Sequence, residues 1–400
     1  MRALSWNFAV LLGASWSLNT FGYSLDFSAA LGAQGTWFPQ KPLYSQQSNW
    51  NVSGSFEPKL KIGWERQRAA FDAAAFFRLD KADPSRTHWD LSEFAFVKRW
   101  QDYELRAGVR KMFWGVTESQ HLVDVVNQLD FVEDPLGDQK LGQPMVSLAR
   151  IGDGWSLETL VMPYFRTRTF PSESGRFRGP LAVDADAVSF ESSAKRYHPD
   201  VAARLGSRLG IADFGLSYFY GTERTPTFST NAAGTALEPR HSLLHQTGLD
   251  VQVTGGGFIG KLESVFRGTK NYASTYFAST LGGEYTFSNI FLSSFDFGIL
   301  LEYLYDSRGK MATAVGEDDI FMGLRLSLND NSNSSILCGV IVDRDGGDSL
   351  GIVKASRRLS ETWKVSLRGS YIHTSNSSDP LYIYRKESFL QLELTRFFLP

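Results

Sequence analysis

Five carboxylates crowd one connection of this chain. Glu118, Asp124, Asp130, Glu133 and Asp134 all fall between Gly115 and Gly142, and Asp138 adds a sixth. Acidic groups at this density suit close-range charge work: orienting dipoles and setting ion preference where a passage narrows. Thr117-Glu118-Ser119 can start a helix, and Leu122, Val125, Val126 and Leu129 follow at helical spacing. The expected form is therefore a short amphipathic helix whose apolar side needs a dry place to go. Folded inward, it would constrict whatever it enters; folded outward, it would cap neighbouring loops.

Other chemistry-bearing residues are less suggestive. Nucleophilic catalysis needs a serine, a histidine and an orienting carboxylate or amide within reach of each other. The six histidines form no local constellation of that kind, and His-Glu-x-x-His is missing. The reading is not an enzyme, with no cofactor. His241 and His245 flank a strand start, where a spacing of four gives no helical convergence. Asp343-Arg344-Asp345-Gly346-Gly347-Asp348 has calcium-loop composition but lacks the Glu that ends such a loop, so it reads as a Gly-rich hairpin and no metal site is predicted. The lone Cys338 sits in an apolar run and reads as a small wall residue. Arg166, Arg168, Arg176 and Arg178, interleaved with Phe165, Phe170, Pro171 and Phe177, could receive an anionic sugar or simply anchor a solvated loop.

The elements that must position these groups are strands. Lys and Arg total 41 against 43 Asp and Glu, so no bulk field points to nucleic acid. Aromatics make up 14% and there are 36 glycines, which suits twisted strands with tight turns. From Leu25 onward the dominant period is two. Val52, Gly54, Phe56, Pro58, Leu60 and Ile62 alternate with Ser53, Ser55, Glu57, Lys59 and Lys61. The same pattern runs through 71–80, 103–111, 320–328 and 363–371. These segments span about 9–13 residues, suited to a tilted membrane crossing, and aromatics gather at their ends as in interfacial girdles. Short and long connections alternate. Parity then places Lys59, Lys61, Arg78, Glu104, Arg106, Arg110, Arg204, Arg325 and Arg368 on an inward, watery face. The expected fold is an all-β, antiparallel, up-and-down transmembrane barrel of about 18 strands (range about 14–18) with long outer loops.

The mean hydropathy of −0.21 fits a wall that alternates between lipid and lumen. Residues 1–24 read as a secretory signal peptide: Arg2, an apolar stretch from Phe8 to Ala14, and small residues at Gly22 and Ser24. Residues 25–400 are then the barrel, with 115–142 as its inward-folded loop. The last segment places Leu390, Leu392, Leu394 and Phe398 on one face. It resembles the terminal strand that the outer-membrane barrel-assembly machinery receives. Arg396 departs from that pattern and is expected to snorkel, and Leu399-Pro400 trails the final aromatic.

With the segment Arg106-Ala107-Gly108-Val109-Arg110-Lys111-Met112-Phe113-Trp114-Gly115, the mature chain resembles Gram-negative porin-like outer-membrane barrels. Some of these carry Gly-Arg before a Trp-Gly at a strand end; here Gly108 and Arg110 are not adjacent. The resemblance implies passive diffusion of small polar solutes, a homo-trimer, and outer-membrane lipid with lipopolysaccharide as surroundings. Two other readings stand beside it: a surface barrel whose outer loops bind polysaccharide or another cell-surface ligand, and a plugged carrier of hydrophobic or polymeric cargo.

Overall fold

The computed structural model describes residues 16–20, 22–64, 68–137, 139–269, 275–312, 316–345 and 347–398. Eighteen antiparallel strands close into one barrel. In chain order they are β1 (Tyr23–Trp37), β2 (Trp50–Trp64), β3 (Ala69–Asp80), β4 (His88–Trp100), β5 (Tyr103–Arg110), β6 (Gln143–Gly152), β7 (Trp155–Met162), β8 (Asp200–Leu209) and β9 (Ala212–Thr222). The circuit continues with β10 (Leu243–Gly255), β11 (Phe258–Thr269), β12 (Thr275–Phe287), β13 (Asp296–Asp306), β14 (Asp318–Ser327), β15 (Ser335–Asp343), β16 (Ser349–Arg358), β17 (Trp363–His373) and β18 (Phe389–Phe398). Each pairs with its chain neighbours, and β18 closes on β1 from Trp37↔Leu390 to Ala29↔Phe398. Closure leaves no open edge within the paired length, so ladder amides find partners without water, apart from a bulge where the β3–β4 register shifts between Ala74 and Ala75.

The period of two separates the faces. In β13, Leu300, Glu302, Leu304 and Asp306 are buried toward the inside, while Ile299, Leu301, Tyr303 and Tyr305 stand exposed outside. In β18, Leu390, Leu392 and Leu394 are exposed on the outer face. Arg396 shares that face, its guanidinium 4.9 Å from the Phe398 ring centre and 5.7 Å from that of Trp363. Aromatics mark both rims: Trp37 stacks on Trp50 at 6.0 Å where long loops begin, and Trp100 on Tyr103 at 5.9 Å beside a short turn. Tight turns close the opposite end, as at Gly256 and Gly257, whose φ of 59° and 84° a side chain would resist.

The N-terminal stretch expected as a leader lies mostly outside the described residues. Trp16–Thr20 forms a short strand on Tyr23–Phe27, the part of β1 that β18 does not reach. At the long-loop end, Ala182–Val183, Ser189–Phe190, Thr227–Thr230 and Ala236–His241 make a small separate sheet. It belongs to the connections after β7 and β9.

Candidate functional site

The connection from Lys111 to Gly142 folds into the barrel, and it is not the helix its periodicity suggests. Beyond short turns it has one isolated bridge, Leu129↔Lys140. The reason lies in its hydrogen bonds. Glu263 on β11, fully buried, accepts from Val116 N at 2.7 Å, Thr117 N at 3.0 Å and the Thr117 hydroxyl at 2.7 Å through Oε1, and from Val123 N at 3.1 Å through Oε2. Glu302 on β13 accepts from Glu118 N and Ser119 N, each at 2.8 Å. The loop carbonyls go to cations: Leu122 O to Arg267 on β11 at 2.8 Å, and Val126 O to Arg224 of the β9–β10 connection at 2.8 Å. Charged groups of the wall and of a neighbouring connection thus take the backbone bonds a helix would have made internally, and such charge-assisted bonds are the stronger kind.

Gly115 makes this approach workable. Its φ is +137°, and a Cβ there would stand 2.7 Å from Glu263 Oε1. The apolar residues that follow are not wasted. Trp114, Leu122, Val123, Val125 and Val126 pack with Met145, Leu160, Met162, Phe219, Leu244 and Val265 in a continuous dry cluster on the inner wall of β6–β11. The dry place that the sequence demanded is the barrel's own interior. The inner face is accordingly apolar here, where alternation alone suggests a charged lumen throughout.

The second half of the loop works through its side chains. Asp130 accepts from Thr169 at 2.8 Å and meets His88 Nε2 at 3.1 Å. Burial pushes its carboxyl up, but the His88 contact outweighs this and holds it below the usual range. Glu133 pairs with Arg78 at 2.8 Å and approaches Arg86 at 3.6 Å, yet burial raises its carboxyl despite both. Asp134 takes a hydrogen bond from Arg368, and Glu118 one from Arg325 at 2.7 Å. Asp124 turns back to Lys140 within the loop. Phe131 and Leu136 cover a second dry cluster, formed by Leu300, Leu304, Phe321, Leu337, Ile341 and Leu350 of β13–β16.

Between the loop and the wall of β1–β4 and β14–β18 a cavity of about 580 Å³ remains. Arg78, Arg325, Lys354 and Arg368 face it from the wall, together with Glu57 and Glu393. Glu118, Asp130, Glu133 and Lys111 face it from the loop. A mainly basic wall therefore opposes a mainly acidic loop, and uncharged Ser327, Ser335, Ser356 and Ser366 line it further along.

No family model and no curated protein matches the chain. Solved structures do. Pseudomonas aeruginosa OccK11 (OpdR) superposes with a TM-score of 0.53 at 11% identity, covering 94% of this chain and 96% of its own. Pseudomonas aeruginosa OccK3 (OpdO) gives 0.52 at 11%, covering 93% and 95%. The chain has the outer-membrane porin fold.

Within this porin fold the residues singled out by parity separate into groups. Arg78, Arg325 and Arg368 line the cavity. Lys59 and Lys61 follow Glu57 on the same inward face, nearer the short turn, with Lys61 in register between Asp26 and Asp72. Glu104 binds Arg99 and Arg106, each at 2.5 Å. Arg110 is tied to Glu158 at 3.0 Å and Arg204 to Asp250 at 2.6 Å, both on the filled side. The arginines of the 166–196 loop are engaged internally: Arg166 with Asp90 at 2.5 Å, Arg176 with Glu387 at 2.5 Å, and Arg178 over the Tyr44 ring at 3.7 Å.

Sequence reading missed Arg86 and Arg224, which lie in loops and have no parity, and the anchoring role of Glu263 and Glu302. A carboxylate flanked by Leu262 and Ser264 signals only an inward position. It also passed over Gly347-Asp348-Ser349-Leu350-Gly351, which has nucleophile-elbow spacing. That motif needs a strand–turn–helix setting, whereas Ser349 opens strand β16.

Proposed function

We propose that this protein is an outer-membrane channel, reached by export through the inner membrane and periplasm, for passive diffusion of small polar solutes. The route is the polar half of the lumen, past the acidic face of the Lys111–Gly142 loop. The observation that carries this reading is the cavity of about 580 Å³ inside a closed barrel, with basic wall groups opposing loop carboxylates. Opposed charges at close range align a dipolar or zwitterionic solute across the passage, and the near balance of signs disfavours strong selection for either ion.

The apolar filling of the β6–β11 side favours a narrow passage over a wide one. The plugged-carrier reading predicts no flux through the same arrangement. Single-channel recording of refolded protein in a planar bilayer distinguishes them. Stable, ohmic current steps support the channel; silence from demonstrably folded, heat-modifiable barrel overturns it.

A further inference from the structure

The acidic hairpin set aside in the sequence acquires partners in the fold. Asp343 ends β15 and stands directly opposite Asp319 on β14. Asp348 returns the hairpin into β16, and Asp379 arrives from the β17–β18 connection. One oxygen each from Asp343, Asp348 and Asp379 lies within 4.8 Å of the others. Glu317 and Asp319 line the same small cavity. Like charges directly opposite on paired strands are destabilising, and the nearby Arg344 points away to Asp318 at 2.8 Å.

The observation that singles out a ligand is Asp348. It is only 2% exposed. Its Oδ1 accepts from Ser375 N at 3.1 Å, while Oδ2 is buried with no hydrogen-bond partner among the described residues. A buried carboxylate oxygen left in this state is costly. A cation among the carboxylates removes that cost.

We propose that Asp343, Asp348 and Asp379 form a calcium site that staples the β15–β16 hairpin to the β17–β18 connection at the barrel mouth. All-oxygen, carboxylate-rich coordination suits a hard divalent ion. The three oxygens lie close enough together to share one ion, and Ca²⁺ accepts irregular, flexible oxygen coordination of this kind where Mg²⁺ demands near-ideal octahedral geometry. The staple also has something to hold. The β17–β18 connection carries the short turn Pro380–Tyr384, whose Leu381 joins the dry cluster inside β13–β18.

The test uses full-length barrel, refolded in detergent without lipopolysaccharide, stripped with EGTA and titrated with CaCl₂ by calorimetry. Asp348→Asn and Asp379→Asn run in parallel, each checked for heat-modifiable folding. The expected result is a saturable site at or below about 1 mM, as in extracellular calcium modules, weakened at least tenfold in both variants. Calcium should also slow tryptic cleavage after Arg344 and Arg385 in the unaltered protein only. The proposal is overturned by the lack of a saturable site, by full retention of it in either folded variant, or by Mg²⁺ binding as tightly as Ca²⁺.

Discussion

The two sides of the lumen share one wall architecture and one inserted loop, yet one is filled and the other holds a cavity. On the β6–β11 side the loop presents Trp114, Leu122, Val123, Val125 and Val126, and its backbone amides are taken by buried Glu263. On the β1–β4 and β14–β18 side the same loop presents Glu118, Asp130 and Glu133 beside the apolar pair Phe131 and Leu136, and side chains make the contacts. The first kind of contact seals because apolar atoms close-pack and exclude water. The second holds the loop off the wall at the length of two paired side chains, with Arg325 and Glu118 left partly exposed. Loop composition, rather than strand number, decides where the cavity lies.

The strongest way to break this contrast is to remove the seal's anchor. Glu263→Ala strips the acceptor from Val116, Thr117 and Val123 amides at once. Leaving buried donors unsatisfied costs roughly 1–3 kcal/mol each. The loop should detach from β11, with conductance rising severalfold, current noise increasing and the loop becoming open to protease. Unchanged conductance and protection would show that the dry cluster alone holds the seal. Gly115→Val attacks the same contact from the loop side. Its Cβ would collide with Glu263 Oε1 in a backbone conformation that side chains rarely adopt. The expected loss is about 1–3 kcal/mol, read as the same loosening to a smaller degree.

Charge reversal compares the two sides directly. Arg325→Glu and Arg368→Glu replace cavity-lining cations that hydrogen-bond Glu118 and Asp134 directly. Each should shift reversal potential toward cation preference and change conductance about twofold. Arg110→Glu, on the filled side against Glu158, should leave selectivity within error while lowering barrel stability. An equal selectivity shift from Arg110 would place the passage on the wrong side.

How much of this was legible beforehand follows from range. The period of two depends on nearest neighbours, so strands, faces and the length rhythm of the connections read directly from 52–62 or 320–328. Terminal Leu390, Leu392 and Leu394 face outward as their parity requires. The apolar spacing of Leu122, Val125 and Val126 correctly demanded a dry partner, yet implied a helix. A chain segment takes helical form when its amides have no better acceptor, and the better acceptor, Glu263, lies 140 residues from Val123. No local pattern carries that information. Arg86 and Arg224 were invisible for the same reason: in irregular connections, position alone does not say which way a side chain points.

The outer cap extends the contrast to pH. His241 closes the small loop sheet. It is buried with its ring 4.7 Å from that of Phe165 and 5.7 Å from that of Phe190, and Nδ1 meets the Glu223 carbonyl at 2.8 Å. Burial first, then the charges of Arg168, Arg224 and Arg196, push its imidazole from 6.5 down to about 4. The folded ring resists a proton that the unfolded ring accepts. Its contribution is therefore complete above pH 6.5 and lost as pH falls from 6.5 toward 4. The full loss is about 3 kcal/mol by the usual conversion. Hydrogen exchange of the 227–230 and 236–241 amides should accelerate between pH 7 and pH 5 after correction for intrinsic rates, while β10 and β11 stay protected. His241→Phe keeps the aromatic packing and removes the titrating group, so its corrected profile should be flat. A flat profile in the unaltered protein would mean that the ring reaches solvent, and that the cap on the filled side is no drier than the passage it adjoins.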